Sequence, residues 1–130
     1  MLDTDICSYL IRGRSPRIED RLANLAPHEV CISVVTSAEL LYGLKRPSAH
    51  RLQVSVPRFL RMVRVLPWAS EAAVFYVEIR HQLVGSSQPI GELDMMIAAH
   101  ALAAGAVLVT NNVRHYERIA QPLTFENWSD

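Results

Sequence analysis

Two short runs constrain this chain more than anything else in it. Residues 30–35 (Val-Cys-Ile-Ser-Val-Val) and 106–109 (Ala-Val-Leu-Val) are apolar almost end to end, without the alternation of a half-exposed strand. A strand apolar on both faces must be covered on both, which is the situation of strands in a parallel sheet flanked by helices. The intervening segments are long enough to supply those helices. The class expected is therefore α/β, a three-layer α/β/α sandwich around a mainly parallel twisted sheet.

Local signals place the elements. Met1-Leu2 reads as the stub of a strand ending at Asp3, with a helix over residues 5–12. Ser15-Pro16 is an N-cap followed by proline at the first helical position, opening a helix to about Leu25. Residues 36–46 and 50–63 read as helices, and Val63-Arg64-Val65-Leu66 as a short strand. A helix over residues 70–85 carries Ala72, Tyr76, Ile79 and Leu83 on one face. Another, over residues 91–104, presents Leu93, Met96, Ile97, Ala101 and Ala104, and Gly105 is placed to stop it. Leu123-Thr124-Phe125 is the candidate edge strand.

With 130 residues, half of them hydrophobic, the chain supports one core, so residues 1–130 are read as a single domain. No apolar run approaches the roughly 18 residues of a membrane span. No basic and apolar leader is visible at the start, and Cys7 and Cys31 have no CxxC or histidine-spaced partner. Two buried reduced thiols in the cytoplasm are expected. Zero net charge seems to argue against nucleic acid, but the sum hides its distribution. Residues 1–65 hold ten Lys or Arg against six Asp or Glu, and residues 66–130 hold three against seven. All the basic residues but Lys45 are arginine, the side chain suited to bidentate phosphate contact. Arg12, Arg14, Arg17, Lys45 and Arg46, with Arg21 and Arg51, are the candidate contacts for a phosphate-bearing partner, although Glu19 and Asp20 interleave the first cluster.

Ligand sites of open parallel sheets lie beyond the carboxyl ends of the strands. Asp3 and Asp5 end the first strand, Glu39 lies one turn into a helix, Asp94 sits in the first turn of its helix, and Asn111-Asn112 follow Val109. Each alone has a structural use: Thr36-Ser37-Ala38-Glu39 matches a capping box, and Asp94 suits a helix dipole. Carboxylates converging on one rim repel each other unless a cation compensates. An oxygen donor set without Cys or His points to Mg2+ or Mn2+.

These residues resemble the PIN-domain endoribonucleases, and among them the VapC-like toxins of bacterial toxin–antitoxin pairs. Leu2-Asp3-Thr4-Asp5-Ile6 is similar to the family's opening L-D-T-N-I. Residues 33–43, Ser-Val-Val-Thr-Ser-Ala-Glu-Leu-Leu-Tyr-Gly, resemble S-x-x-T-x-x-E-L-x-Y-G. Residues 89–101 resemble the segment carrying the third acid, and Thr110-Asn111-Asn112-Val113-Arg114-His115-Tyr116 the closing T-N-N-x-R-x-F. The resemblance implies a metal-dependent endoribonuclease, with RNA and possible tRNA substrates, that inhibits translation and growth. Asp3, Glu39 and Asp94 would hold the metal, Asn112 would complete the catalytic set, and Thr110 and Asp5 would support it. It also implies a cognate antitoxin that inserts a basic side chain into the acidic site, and a homodimer or larger complex. Phe59, Met62 and the helix from Ser70 are candidate contacts for these partners, or else core.

The chain departs from the family pattern in places. Asp5 replaces the usual Asn, Asn112 stands where many PIN domains carry a fourth Asp, and Tyr116 stands where Phe is usual. Only two residues precede Asp3 in the first strand. The five histidines show no ligand spacing and read as structural or surface. Three rival readings remain. Asp3-Thr4-Asp5 also fits the D-x-D pair of a haloacid-dehalogenase-type phosphatase, although that chemistry needs a further basic motif and usually a cap. A receiver-like domain needs a lysine after the last strand, and residues 123–130 have none. A non-catalytic PIN-like binding domain is the third, and the presence of all three acids weighs against it.

Overall fold

The computed structural model describes residues 1–129. Its elements run α1 (Thr4–Arg12), α2 (Pro16–Ala23), β1 (Cys31–Ser33), α3 (Val34–Gly43), α4 (Leu52–Met62), β2 (Arg64–Leu66), α5 (Ser70–Gly85), α6 (Glu92–Ala104), β3 (Leu108–Val109), α7 (Val113–Tyr116) and β4 (Phe125–Glu126). β1 pairs in parallel with β2, and β3 with β4. Leu2 joins the two pairs, forming parallel bridges to Ile32 on one side and Val109 on the other. The sheet is thus continuous across β2, β1, Leu2, β3 and β4. The chain builds it outward from Leu2 in one direction, then returns to the other side of Leu2 with β3. That reversal is a topological switch point, and it lies between Leu2 and β3.

Side chains of successive strand residues face opposite ways, and two cores result. Met1, Cys31 and Leu108 enter one core with Ile79, Leu83 and Ile97 from α5 and α6. Leu2, Ile32 and Val109 enter the other with Ile6, Cys7, Ile18 and Val56 from α1, α2 and α4. Leu2, Ile32 and Leu108 are at most 1% exposed, and burying each such side chain contributes about 1.5–3 kcal/mol. The double burial expected of non-alternating strands is what the fold provides. Cys7 and Cys31 are both free and buried. Among the described residues, no helix is long and apolar enough to cross a membrane.

Helix boundaries follow their caps. Ser15 accepts from the Ile18 amide with Pro16 in the first turn, as the sequence predicts. Gly105 closes α6 with φ 62°, a left-handed conformation that favours glycine. Elsewhere the structure corrects the sequence. The expected strand over residues 30–35 is shorter, because the Ser33 hydroxyl accepts from the Val35 amide and caps α3. Val34 and Val35 are helical despite their branching, since a satisfied cap outweighs a weak strand preference. α4 begins at Leu52, two residues later than expected, and admits Pro57. The face expected of α6 is also revised. Ile97, Ala98, Ala99, His100 and Ala101 are buried consecutively, whereas Leu93 is 45% exposed. A helix covered on nearly all sides loses its single stripe.

Candidate active site

Asp3 sits at the switch point because its backbone is fixed there. Its amide donates to the Val109 carbonyl at 2.9 Å, and the Val109 amide donates to the Met1 carbonyl at 2.8 Å. The side chain caps α1, accepting from the Ile6 amide at 3.0 Å. It is only 4% exposed. Burial pushes its carboxyl up to about 6; hydrogen bonds from Thr110 and Ile6 pull it down, and the charges of Asp5 and Asp94 add to the rise. The Thr110 hydroxyl, itself buried, also accepts from the Asn112 amide at 2.8 Å.

Glu39 approaches from α3. Since Ser33 is the N-cap of α3, Thr36 is an interior residue of the helix and not its N-cap, so the capping-box reading of Glu39 is incorrect. Its Oε1 instead accepts from the Thr4 hydroxyl at 2.6 Å, and that hydroxyl also lies 3.3 Å from Thr36 Oγ1. Burial raises the Glu39 carboxyl, Thr4 lowers it, and the charges of Asp94 and Asp5 raise it again. The charges of Asp94 and Asp5 therefore reach both Asp3 and Glu39. Asp5 itself is exposed. Among the described residues, none of these acids pairs with Arg or Lys.

The third acid has a neighbour that sequence reasoning set aside. Asp94 Oδ2 lies 3.3 Å from Nδ1 of His115, and that same nitrogen lies 3.0 Å from Asn112 Nδ2. His115, read from the sequence as structural or surface, thus lies against two candidate site residues, Asp94 and Asn112. Its signal in the sequence was position, three residues after Asn112 on one turn of helix. Tyr9 was missed as well. Its hydroxyl accepts from Asn111 Nδ2 at 2.9 Å and ties α1 to the turn after β3. His100 is buried and bonds Ser33 Oγ at 2.7 Å, and His28, His50 and His81 are exposed, as expected of structural or surface residues.

Beside Glu39 opens a groove of about 1260 Å3 between α1, α3 and α4. Arg12, Arg14, Arg46 and Arg51 line it together with Thr4, and Tyr42 on its wall is 79% exposed. Arg17 and Lys45 are exposed but lie outside that lining, so the sequence-based basic set divides in two. Of the apolar contact candidates, Phe59 packs into a core, whereas Met62 is 78% exposed. α5 turns Ala72, Ile79 and Leu83 inward and leaves Val74, Val77 and Val84 exposed.

A divalent cation is the group this donor set would hold. Among the described residues, no group of three or more His, Cys, Asp or Glu is arranged as a ready cage. Mg2+ and its like retain several waters and need only one or two carboxylates beside a substrate phosphate. Raised carboxyls at Asp3 and Glu39, without an Arg or Lys partner, suit that mode. The phosphatase reading fares worse: Asp3 is a buried cap with one oxygen committed to Ile6, a poor position for a nucleophile.

A parallel sheet with acids lacking an Arg or Lys partner at its switch point, and an arginine-lined groove alongside, fits an α/β domain of the nuclease class. A family model described as PIN domain matches residues 1–121. The chain belongs to the PIN-domain family, and within it to the VapC ribonucleases. It is 37% identical over 130 residues to the tRNA(fMet)-specific endonuclease VapC of Shigella flexneri, covering 99% of this chain and 97% of that protein. It is 35% identical over 130 residues to Ribonuclease VapC2 of Rickettsia felis, covering 98% and 96%. Its structure superposes on that of DNA-bound VapBC from Salmonella typhimurium with a TM-score of 0.89 at 38% identity, over 98% of this chain and 96% of that one. Promoter-bound VapBC2 from Rickettsia felis gives 0.89 at 35% identity, over 98% and 97%.

Proposed function

We propose that this chain is the toxin of a toxin–antitoxin pair and hydrolyses phosphodiester bonds in RNA, with tRNA as the substrate class. The observation that carries this is the set of carboxylates Asp3, Glu39 and Asp94, linked through the charge of Asp94, without an Arg or Lys partner and next to the arginine groove. The specificity named for the Shigella relative supports tRNA.

In this reading Asp3 and Asp94, with Glu39, hold Mg2+ or Mn2+, which supplies the Lewis acidity that phosphodiester hydrolysis needs. The chain's own residues do the rest. Arg12, Arg14, Arg46 and Arg51 bind the RNA backbone along the groove and bring one phosphate to its acidic end. Thr4 holds Oε1 of Glu39, which orients the carboxylate and leaves Oε2 for the ion. Thr110 steadies Asp3, and Asn112 offers a neutral hydrogen-bonding group where a fourth charge would add repulsion.

The partner is a cognate antitoxin, supported by the VapBC composition of the similar structures. A toxin homodimer within a larger complex accompanies this reading, and the cytoplasm, where its RNA lies, is the compartment. The test is cleavage of purified tRNA with added Mg2+ by the parent, Asp3→Asn and Asp94→Asn proteins. Cleavage by the parent alone is expected; undiminished cleavage by both variants would refute the assignment. Sequencing of RNA ends after induced expression, with Asp94→Asn as control, then names the target.

A further inference from the structure

Tyr42 and Gly43 are neighbours that the fold does not account for. The Tyr42 ring is 79% exposed and joins neither core. Gly43 ends α3 without the left-handed backbone that requires glycine, and a Cβ placed there would meet nothing within 4 Å. Neither turn geometry nor close packing explains it, although glycine carries an entropic cost in a helix. An exposed ring alone is ordinary. This one stands beside an open gap, and both residues line the arginine groove.

Their place along the groove says what fits there. Tyr42 follows Glu39 by three residues, so the two side chains share a face of α3, about 4.5 Å apart along its axis. The backbone keeps turning past the helix end. The Lys45 amide donates to the Tyr42 carbonyl at 3.0 Å and the Arg46 amide to the Gly43 carbonyl at 3.4 Å, which brings Arg46 back to the groove. The order along this wall is therefore carboxylate, aromatic ring, open glycine, guanidinium. RNA presents the matching order of phosphate, flat base and phosphate. An acidic peptide has charges for the arginines but no regular planar group for the ring.

We infer that Tyr42 is the base-stacking residue of this groove: the base next to the phosphate under attack lies on its ring, in the space Gly43 leaves open. Arg46 holds the backbone just beyond it. The inference rests on the proposed function for the presence of RNA, and adds the residue that selects which bond is cut. Stacking admits every base but is graded by stacking strength, so the larger purine rings are favoured at that position.

The test uses two labelled RNA probes, an adenosine hexamer and its abasic analogue, which carries the same phosphates without bases. Fluorescence anisotropy measures both on full-length Asp94→Asn protein, the background that prevents cleavage. The background protein is expected to bind the adenosine hexamer about tenfold more tightly than the abasic one, within the range of one base–aromatic stack. Tyr42→Leu and Gly43→Leu, added to that background, are each expected to abolish this preference while leaving abasic binding unchanged. Tyr42→Phe should retain it. Thermal midpoints equal to the background protein's show that the variants fold. A preference that persists in Tyr42→Leu or in Gly43→Leu overturns the inference, and so does an equal loss for both probes. Unchanged binding of both probes by a Tyr42→Leu chain whose oligomer dissociates would make the ring a protein contact instead. A background protein that binds neither probe but binds tRNA overturns the stacking inference alone; one that binds no tRNA either overturns the RNA reading with it.

Discussion

Thr4 donates its hydroxyl to Oε1 of Glu39 at 2.6 Å, joining two helices across 35 residues of sequence. The bond ties the first turn of α1, which Asp3 caps, to the acid on α3. Two of the three site carboxylates are therefore set by one local arrangement, and Thr4 fixes their relative position. Thr4→Val should remove about 1 kcal/mol of stability. It should also raise the Glu39 carboxyl further, because burial and the neighbouring acids already push it up and Thr4 opposes them. Carbon-detected NMR titration of Glu39 in both proteins checks the direction.

Asp3 makes stability depend on pH. Its carboxyl sits at about 6 when folded against 3.8 unperturbed, so the folded state binds the proton more tightly. Its stabilising contribution is fully present below about pH 4 and is lost as pH rises through about 6, a swing of about 3 kcal/mol. In metal-free buffer, the parent should therefore lose stability relative to Asp3→Asn between pH 4 and pH 7. Urea unfolding at four pH values reads the difference, and a difference that stays flat with pH refutes it.

The groove separates arginines that the sequence could only group. Arg46→Glu and Arg12→Glu alter residues on the lining, whereas Arg17→Glu alters one outside it. The first two should weaken RNA binding and lower the slope of log affinity against log salt by about one each. Arg17→Glu should change the slope much less. Fluorescence anisotropy with labelled tRNA over a salt series distinguishes them, using Asp94→Asn protein to prevent cleavage.

Tyr116 is 1% exposed, and its hydroxyl has no hydrogen-bond partner among the described residues. Burial and the charges of Asp94, Asp3, Asp5 and Glu39 all keep that hydroxyl protonated. The ring packs in the α5–α6 core, so its apolar body is what the fold uses. Tyr116→Phe retains the body and removes an unsatisfied group. Stability should be unchanged or higher by about 1 kcal/mol, measured as the denaturation midpoint without metal.

Caps and periodicity made several elements legible. Ser15-Pro16 marked α2, Gly105 marked the end of α6, and the face of Ala72, Ile79 and Leu83 is buried as its spacing predicts. Errors fell where a tertiary partner decided the outcome. Thr36 and Glu39 satisfy a local capping pattern, yet Glu39 finds a hydroxyl from another helix, and a cap three residues earlier makes Thr36 interior. Leu93 fits an apolar stripe but borders an open groove.

The sequence by itself determined that strands apolar on both faces would need helices on both sides, and it placed acids at strand ends and helix starts. Those are properties of backbone periodicity and short-range hydrogen bonding, which a few neighbouring residues fix. Only the tertiary structure decided which groups face those acids. Asp94 meets His115 across 21 residues, and Tyr9 meets Asn111 across 102. Such pairs form because the sheet reverses its order at Leu2 and brings distant strand ends to one rim. No local pattern encodes that approach, since the contacts become possible only once both faces of the sheet are buried.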